Sequence, residues 1–180
     1  MTIIYSNCKD VDCSLLPDIW ANLDCNVIEV TPDKGRCDEW VNEAIKKEDD
    51  TIIFAGHGSP CGLFHPNMFN GYLLDYDNVG LIHAKNVICI WCHASDFCKK
   101  HNLKCLCSSM FVSNPGEAAC YGMEGSREHI SEIVTRFCKE LNHCLVNKMP
   151  LNETYEYLAA RTDTEDEIDT YNRNGMMLND

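Results

Sequence analysis

Two short runs constrain this chain most: Thr51-Ile52-Ile53-Phe54-Ala55 and Asn86-Val87-Ile88-Cys89-Ile90-Trp91, apolar at nearly every position. A strand with one wet face alternates polar and apolar residues, whereas a strand covered on both faces does not. Both runs therefore read as interior strands of a parallel sheet with helices on its two sides. Each breaks abruptly into polar residues, the first into Gly56-His57-Gly58-Ser59-Pro60-Cys61-Gly62, which reads as a glycine-rich turn, and the second into Cys92-His93-Ala94-Ser95.

The flanking sequence supplies the rest of such a sheet. Thr2 to Ser6 and Asn26 to Val30 read as two further strands. Between them Ser14 is the expected cap of a helix with Leu15, Leu16, Ile19, Trp20 and Leu23 at helical spacing. A second amphipathic helix carries Cys37, Trp40, Val41, Ala44 and Ile45 and ends at the acidic cluster Glu48-Asp49-Asp50. Leu81-Ile82 allows a short crossover helix, and Ser95 or Asp96 can cap a short helix reaching His101. A further strand is expected within Lys104 to Val112. Ser126 then caps the clearest helix, with Ile130, Ile133, Val134, Phe137, Leu141, Cys144 and Leu145 on one stripe. Strands alternating with helices predict an α/β fold, a three-layer αβα sandwich around a mainly parallel sheet. The expected organisation is one α/β domain over 1–150, then a C-terminal helix near Asn152 to Arg161 and an acidic tail within 151–180.

Charge and cysteine content narrow the function classes. Fifteen basic against 28 acidic residues leave a net charge of −13, so a nucleic acid, whose binding draws on clustered cations, is not an expected partner. Residues 151–180 hold Glu153, Glu156, Asp163, Glu165, Asp166, Glu167, Asp169 and Asp180 against Arg161 and Arg173, which reads as a solvated face or tail. The longest apolar run falls far short of the roughly 20 residues of a membrane helix, so no membrane span is expected. The N-terminus has no basic flank before a long apolar stretch, so no secretory signal is expected either. Thirteen cysteines are an odd count, several inside apolar runs. Free thiols in a reducing cytoplasm fit that pattern better than a disulfide scaffold does.

In open α/β sheets ligands bind beyond the carboxyl ends of the strands. His57 and Cys92 each follow an apolar strand, and the short connection between those strands argues that they are neighbours. An imidazole and a thiol at one rim suit acyl transfer: the thiolate attacks a carbonyl, and the histidine takes the thiol proton and returns it to the leaving amine. The backbone N–H groups of Gly58, with no side chain in the way, and of Cys92 would form the oxyanion hole.

An apolar strand ending in His-Gly, followed by an apolar strand ending in Cys, resembles the caspase-like clan of cysteine peptidases: caspases, legumain-type endopeptidases, gingipains, separases and CHAT domains. Gly56-His57-Gly58-Ser59 with Gly62-Leu63-Phe64 is similar to the legumain-type histidine segment, and Ser113-Asn114-Pro115-Gly116-Glu117-Ala118-Ala119-Cys120-Tyr121 to that family's segment after the fifth strand. The resemblance covers about residues 1 to 145. It implies a caspase-like fold, Cys92 as nucleophile, His57 as its acid/base partner, a peptide or protein substrate, and neither metal nor cofactor. Glu117 would line the specificity pocket and draw Lys or Arg. The chain departs from the legumain pattern at Ile90, where an acidic residue is usual, at Ala118-Ala119, where serines are usual, and at His93 directly after the nucleophile. A preference for asparagine is accordingly not implied.

Other readings of the same residues stay open. Cys89, Cys92, His93, Cys98, His101, Cys105 and Cys107 are dense enough in soft ligands to raise a structural zinc, although no second Cys-x-x-Cys pair completes a set. Cys89-x-x-Cys92 has the spacing of a redox pair but begins in mid-strand. A catalytically inactive binding or scaffold module on the same fold is the remaining alternative, since fold does not fix function.

Overall fold

The structure, a computed structural model, describes residues 1–35, 37–160 and 166–179, with only the backbone of Asp38. Its centre is a six-stranded mixed sheet. The strands are β1 (Thr2–Ser6), β2 (Asn26–Val30), β3 (Thr51–Ala55), β7 (Asn86–Ile90), β8 (Cys105–Ser108) and β9 (Met176–Asn179), in the order β2-β1-β3-β7-β8-β9. Every pairing is parallel except β8 with β9. The four strands expected before residue 92 all form, and the two apolar runs become β3 and β7, side by side at the centre.

Alternation along these strands feeds two cores. Ile3, Tyr5, Ile53, Ala55, Ile88 and Ile90 face one side, where they meet Cys13 of α1 (Val11–Leu15) and Ile130, Val134 and Phe137 of α5 (Arg127–Val146). Ile4, Ile52, Phe54, Val87 and Cys89 face the other, against Val41 and Ile45 of α2 (Asp38–Lys47) and Phe97 and Cys98 of α3 (Ala94–His101). Helices thus cover both faces, an arrangement compatible with the three-layer expectation, and burial on both sides is why β3 and β7 tolerate hardly a polar residue.

Three local readings are corrected. Asp10, not Ser14, caps the first helix: its carboxylate accepts the Cys13 N–H at 2.8 Å, while the Ser14 hydroxyl donates to the Val11 carbonyl inside the helix. Pro17 then turns the chain into a 3-10 segment over Leu16–Trp20. His93, in the left-handed region at φ 66°, is the N-cap of α3, in place of Ser95 or Asp96. The glycine-rich segment after β3 is not all turn, because β4 (Gly58–Ser59), β5 (Gly62–Phe64) and β6 (Tyr72–Leu74) form a small antiparallel sheet there.

The largest correction concerns the C-terminus. Residues 151–159 form the expected helix, α6; Arg161, its expected end, lies outside the described residues, as do Asp163, Glu165 and Asp180. Residues 166–179 are not a solvated tail: α7 (Glu167–Asn174) packs on α5, and β9 completes the main sheet. Asp169 is 0% exposed, and its carboxylate pairs with Arg173 Nε at 2.9 Å and Arg136 Nη2 at 2.8 Å. The other end of Arg173 reaches Glu140 at 2.8 Å and the Leu158 carbonyl at 3.0 Å. Acidic composition here hides an ion network whose centre, Asp169 and Arg173, is buried.

Candidate active site

The carboxyl ends of β1, β3 and β7 lie next to one another, and each contributes chemistry. Ala55 of β3 pairs with Ile90 of β7, and the Gly56 N–H donates to the Ile90 carbonyl at 3.1 Å. His57 and Cys92 each lie two residues beyond that last pair, at the same end of the sheet. Both line a cavity of about 30 Å³ with Asp12, Cys13, Phe111 and Ser113. That volume takes a water molecule or a carbonyl group rather than a large side chain.

Glycine is required on both sides of His57. A Cβ on Gly56, at φ +148°, would lie 2.6 Å from Ser6 Cβ, and one on Gly58 would lie 2.1 Å from Trp91 Cδ1 and 2.6 Å from the Gly62 carbonyl oxygen. The backbone at His57 is therefore pressed against β1 on one side and the indole of Trp91 on the other. The turn carrying Cys92 is held just as closely. The Ser108 hydroxyl accepts the Trp91 N–H at 3.1 Å and donates to the Trp91 carbonyl at 2.8 Å. The left-handed residue His93 then sends the chain into α3, its ring 3.2 Å from Asp96.

Asp10 is the residue that sequence reasoning missed. It follows β1 in the loop Cys8-Lys9-Asp10, and its Oδ2 lies 2.8 Å from His57 Nε2, 47 residues away along the chain. An ionised carboxylate only accepts, so the Nε2 side carries the proton in the neutral ring and Nδ1 keeps its lone pair. Burial pulls the His57 pKa down, but the hydrogen bond and charge of Asp10 outweigh it and the net direction is up, with Cys8 and Asp12 adding to the rise. Asp10 itself is held below its ordinary range: burial opposes ionisation, and the Cys13 N–H with His57 more than offsets it.

Cys92 behaves as a thiol at rest. Burial pushes its pKa up to about 11, with the charges of Glu117 and Asp12 contributing, and its Sγ lies 3.6 Å from the Phe111 carbonyl. For such a thiol to attack a carbonyl it would need a neighbouring base to take its proton.

Glu117 does not line the cavity. Its Oε2 instead accepts the Ser113 N–H at 2.8 Å and the Ser113 hydroxyl at 3.0 Å, so it shapes the wall through Ser113. The acid at the wall is Asp12, whose side chain is 13% exposed, paired with Arg127 and accepting from Asn114 Nδ2 at 2.9 Å.

Two groups of side chains could hold a metal ion among the described residues. Cys8, Asp10, Cys13 and His57 bring one ligand atom each within 4.8 Å of one another, as do the fully buried Cys89, Cys98 and Cys105. Only the second overlaps the zinc reading of the sequence, and by packing rather than spacing. Of the other residues in that reading, Cys92 lines the cavity, His93 pairs with Asp96, the His101 ring packs tilted against Phe97 at a centroid distance of 4.5 Å, and Cys107 faces the Met177 carbonyl at 3.6 Å. Cys89 points into the core under α2 and α3 while Cys92 lies on the opposite, cavity side, so the two are not arranged as a redox pair.

No helix among the described residues is long and apolar enough to cross a membrane. No family model, no curated protein and no solved structure matches the chain.

Proposed function

We propose that the chain is a cysteine endopeptidase of caspase-like fold, working through a Cys92–His57 dyad on a peptide or protein substrate. One observation carries the reading. The parallel pairing of β3 with β7 puts a histidine and a cysteine at the same rim and on the same cavity, with the histidine held by a carboxylate.

Cys92 Sγ attacks the scissile carbonyl carbon as its proton passes to His57 Nδ1. The Gly58 and Cys92 N–H groups stabilise the oxyanion. Collapse breaks the C–N bond, the leaving amine takes the proton from His57, and a thioester remains on Cys92. His57 then draws a proton from water, the hydroxide adds to the thioester, and the Cys92 sulfur leaves and recovers its proton. Asp10 keeps the ring in the tautomer that makes Nδ1 the base, and stabilises the imidazolium formed in both steps.

The test is His57→Ala, assayed on a pooled fluorogenic peptide library beside a thermal unfolding curve. Turnover should fall by about 10²–10⁴-fold with the unfolding midpoint close to wild type. Undiminished turnover would remove His57 from the chemistry. A folded wild-type chain that hydrolyses nothing would favour the binding or scaffold module instead.

A further inference from the structure

We propose that Cys8, Asp10, Cys13 and His57 form a binding site for a zinc-class divalent cation, and that a cation held there switches the peptidase off. The second half rests on the peptidase reading; the site itself does not.

The donors converge without help from any ion. Their ligand atoms lie within 4.8 Å of one another, and four ligands around a tetrahedral zinc sit about 3.3–3.8 Å apart, given metal–ligand bonds of about 2.0–2.3 Å. Small side-chain movements close that difference. The donor set, two sulfurs, an imidazole nitrogen and a carboxylate oxygen, selects a borderline-soft ion over calcium or magnesium, which take oxygen.

The local chain is built to hold the set. Lys9, at φ 63°, folds the loop between Cys8 and Asp10 back on itself. Asp10 Oδ1 is fixed by the Cys13 N–H at 2.8 Å, which leaves Oδ2 aimed at His57 Nε2. Cys13 sits in the first turn of α1, 1% exposed, whereas the side chains of His57 and Asp10 are 31% and 43% exposed. The site thus has a buried floor and a mouth open to solvent.

The exchange balances without an oxidant. The cation displaces the thiol protons of Cys8 and Cys13, releasing two protons for two metal–sulfur bonds. It binds the neutral imidazole through Nε2, whose proton moves to Nδ1. Nδ1 then has no lone pair to accept the Cys92 proton, and the base is lost. Cys92 takes no part in ligation.

The experiment titrates reduced, metal-free protein with cobalt(II) under anaerobic conditions, in wild type, Cys92→Ala, Cys8→Ala and Asp10→Asn, with circular dichroism as the check on folding. Wild type and Cys92→Ala should each show thiolate-to-cobalt charge-transfer absorption saturating at one equivalent and displaced by zinc. Cys8→Ala should lose it, and Asp10→Asn should bind at least about tenfold more weakly. Zinc should suppress wild-type turnover reversibly by chelator, and Cys8→Ala should need at least about tenfold more zinc, relative to its own zinc-free rate. The absence of the band, its persistence in Cys8→Ala, or its loss in Cys92→Ala would overturn the site. Cobalt binding as expected in a chain that hydrolyses nothing would keep the site and remove both the peptidase reading and its regulation.

Discussion

His57 Nε2 and Asp10 Oδ2 lie 2.8 Å apart, although the two residues follow different strands and are 47 positions apart in the chain. Because β1 and β3 are adjacent and parallel, the loop after β1 reaches the imidazole that follows β3. Asp10 is already fixed as a helix cap, so it holds the ring at little further cost in side-chain freedom.

On the proposed mechanism, removing that carboxylate should move the acidic limb of the rate profile. Asp10 raises the His57 pKa against the effect of burial, with Cys8 and Asp12 acting the same way. A base must be unprotonated to act, so kcat/KM rises as pH passes upward through the His57 pKa. In Asp10→Asn that pKa falls, and the limb shifts to lower pH. With an amide in place of the acceptor the tautomer is also less well held, and the plateau rate should drop by about tenfold or more. A pH–rate series in chelator-containing buffer checks both. A limb that stays in place, or moves to higher pH, contradicts the pairing.

Thiol reactivity should run opposite to what a pre-ionised nucleophile would give. The Cys13 thiol, hydrogen-bonded to Cys8, leads in pulling Cys8 down to about 7, whereas burial pushes Cys92 up to about 11. At pH 7.5 a small alkylating agent on metal-free protein should label Cys8 well before Cys92, read by peptide mapping over time. Cys92 labelled ahead of Cys8 would show a thiolate at rest.

Gly58→Ala tests the packing around the histidine. The added Cβ would meet Trp91 Cδ1 and the Gly62 carbonyl at distances no real contact shows, so the indole must move and loosen its hydrogen bond to the Ser59 carbonyl, now 3.2 Å. Overpacking of this kind costs about 1–3 kcal/mol. Urea unfolding should show the loss together with shifted tryptophan emission, and a variant as stable and as active as wild type would contradict the close approach.

Arg173→Met should be among the most damaging single changes outside the site. It removes the cation between Asp169 and Glu140, all three buried, and breaking a buried ion pair by removing one partner costs about 3–5 kcal/mol. The measurement is the urea midpoint at pH 7. A loss under 1 kcal/mol would mean that α7 does not dock on α5 as described.

What the sequence disclosed follows from periodicity and chemistry at strand ends. The runs Thr2–Ser6, Thr51–Ala55 and Asn86–Ile90 were legible because double-sided burial leaves a continuous apolar signal, whereas the edge strand Asn26–Val30, largely exposed, showed itself through its β-branched residues. Ser126 was legible because a capping hydroxyl precedes a long stripe, and it does accept the His129 N–H at 3.1 Å. Strands β4 to β6 span only two or three residues each, too short for any period to emerge. Asp10 was hidden because nothing in Cys8-Lys9-Asp10-Val11-Asp12-Cys13 announces a partner that only the sheet order brings near. Asp169 and Arg173 read as surface charges, since an i,i+4 pair looks the same in sequence whether it faces water or a core.

The central claim is that Cys92 is a nucleophile served by His57. Its most direct test is intact-mass detection of adducts with peptidyl acyloxymethyl ketones carrying Arg, Lys, Asn, Asp or Leu beside the warhead, on metal-free wild type, His57→Ala and Cys92→Ala. The account expects a single adduct on wild type, dependent on one of those side chains, strongly slowed in His57→Ala and absent in Cys92→Ala. Folded wild type that forms no adduct with any probe, or an adduct that survives in Cys92→Ala, would contradict it.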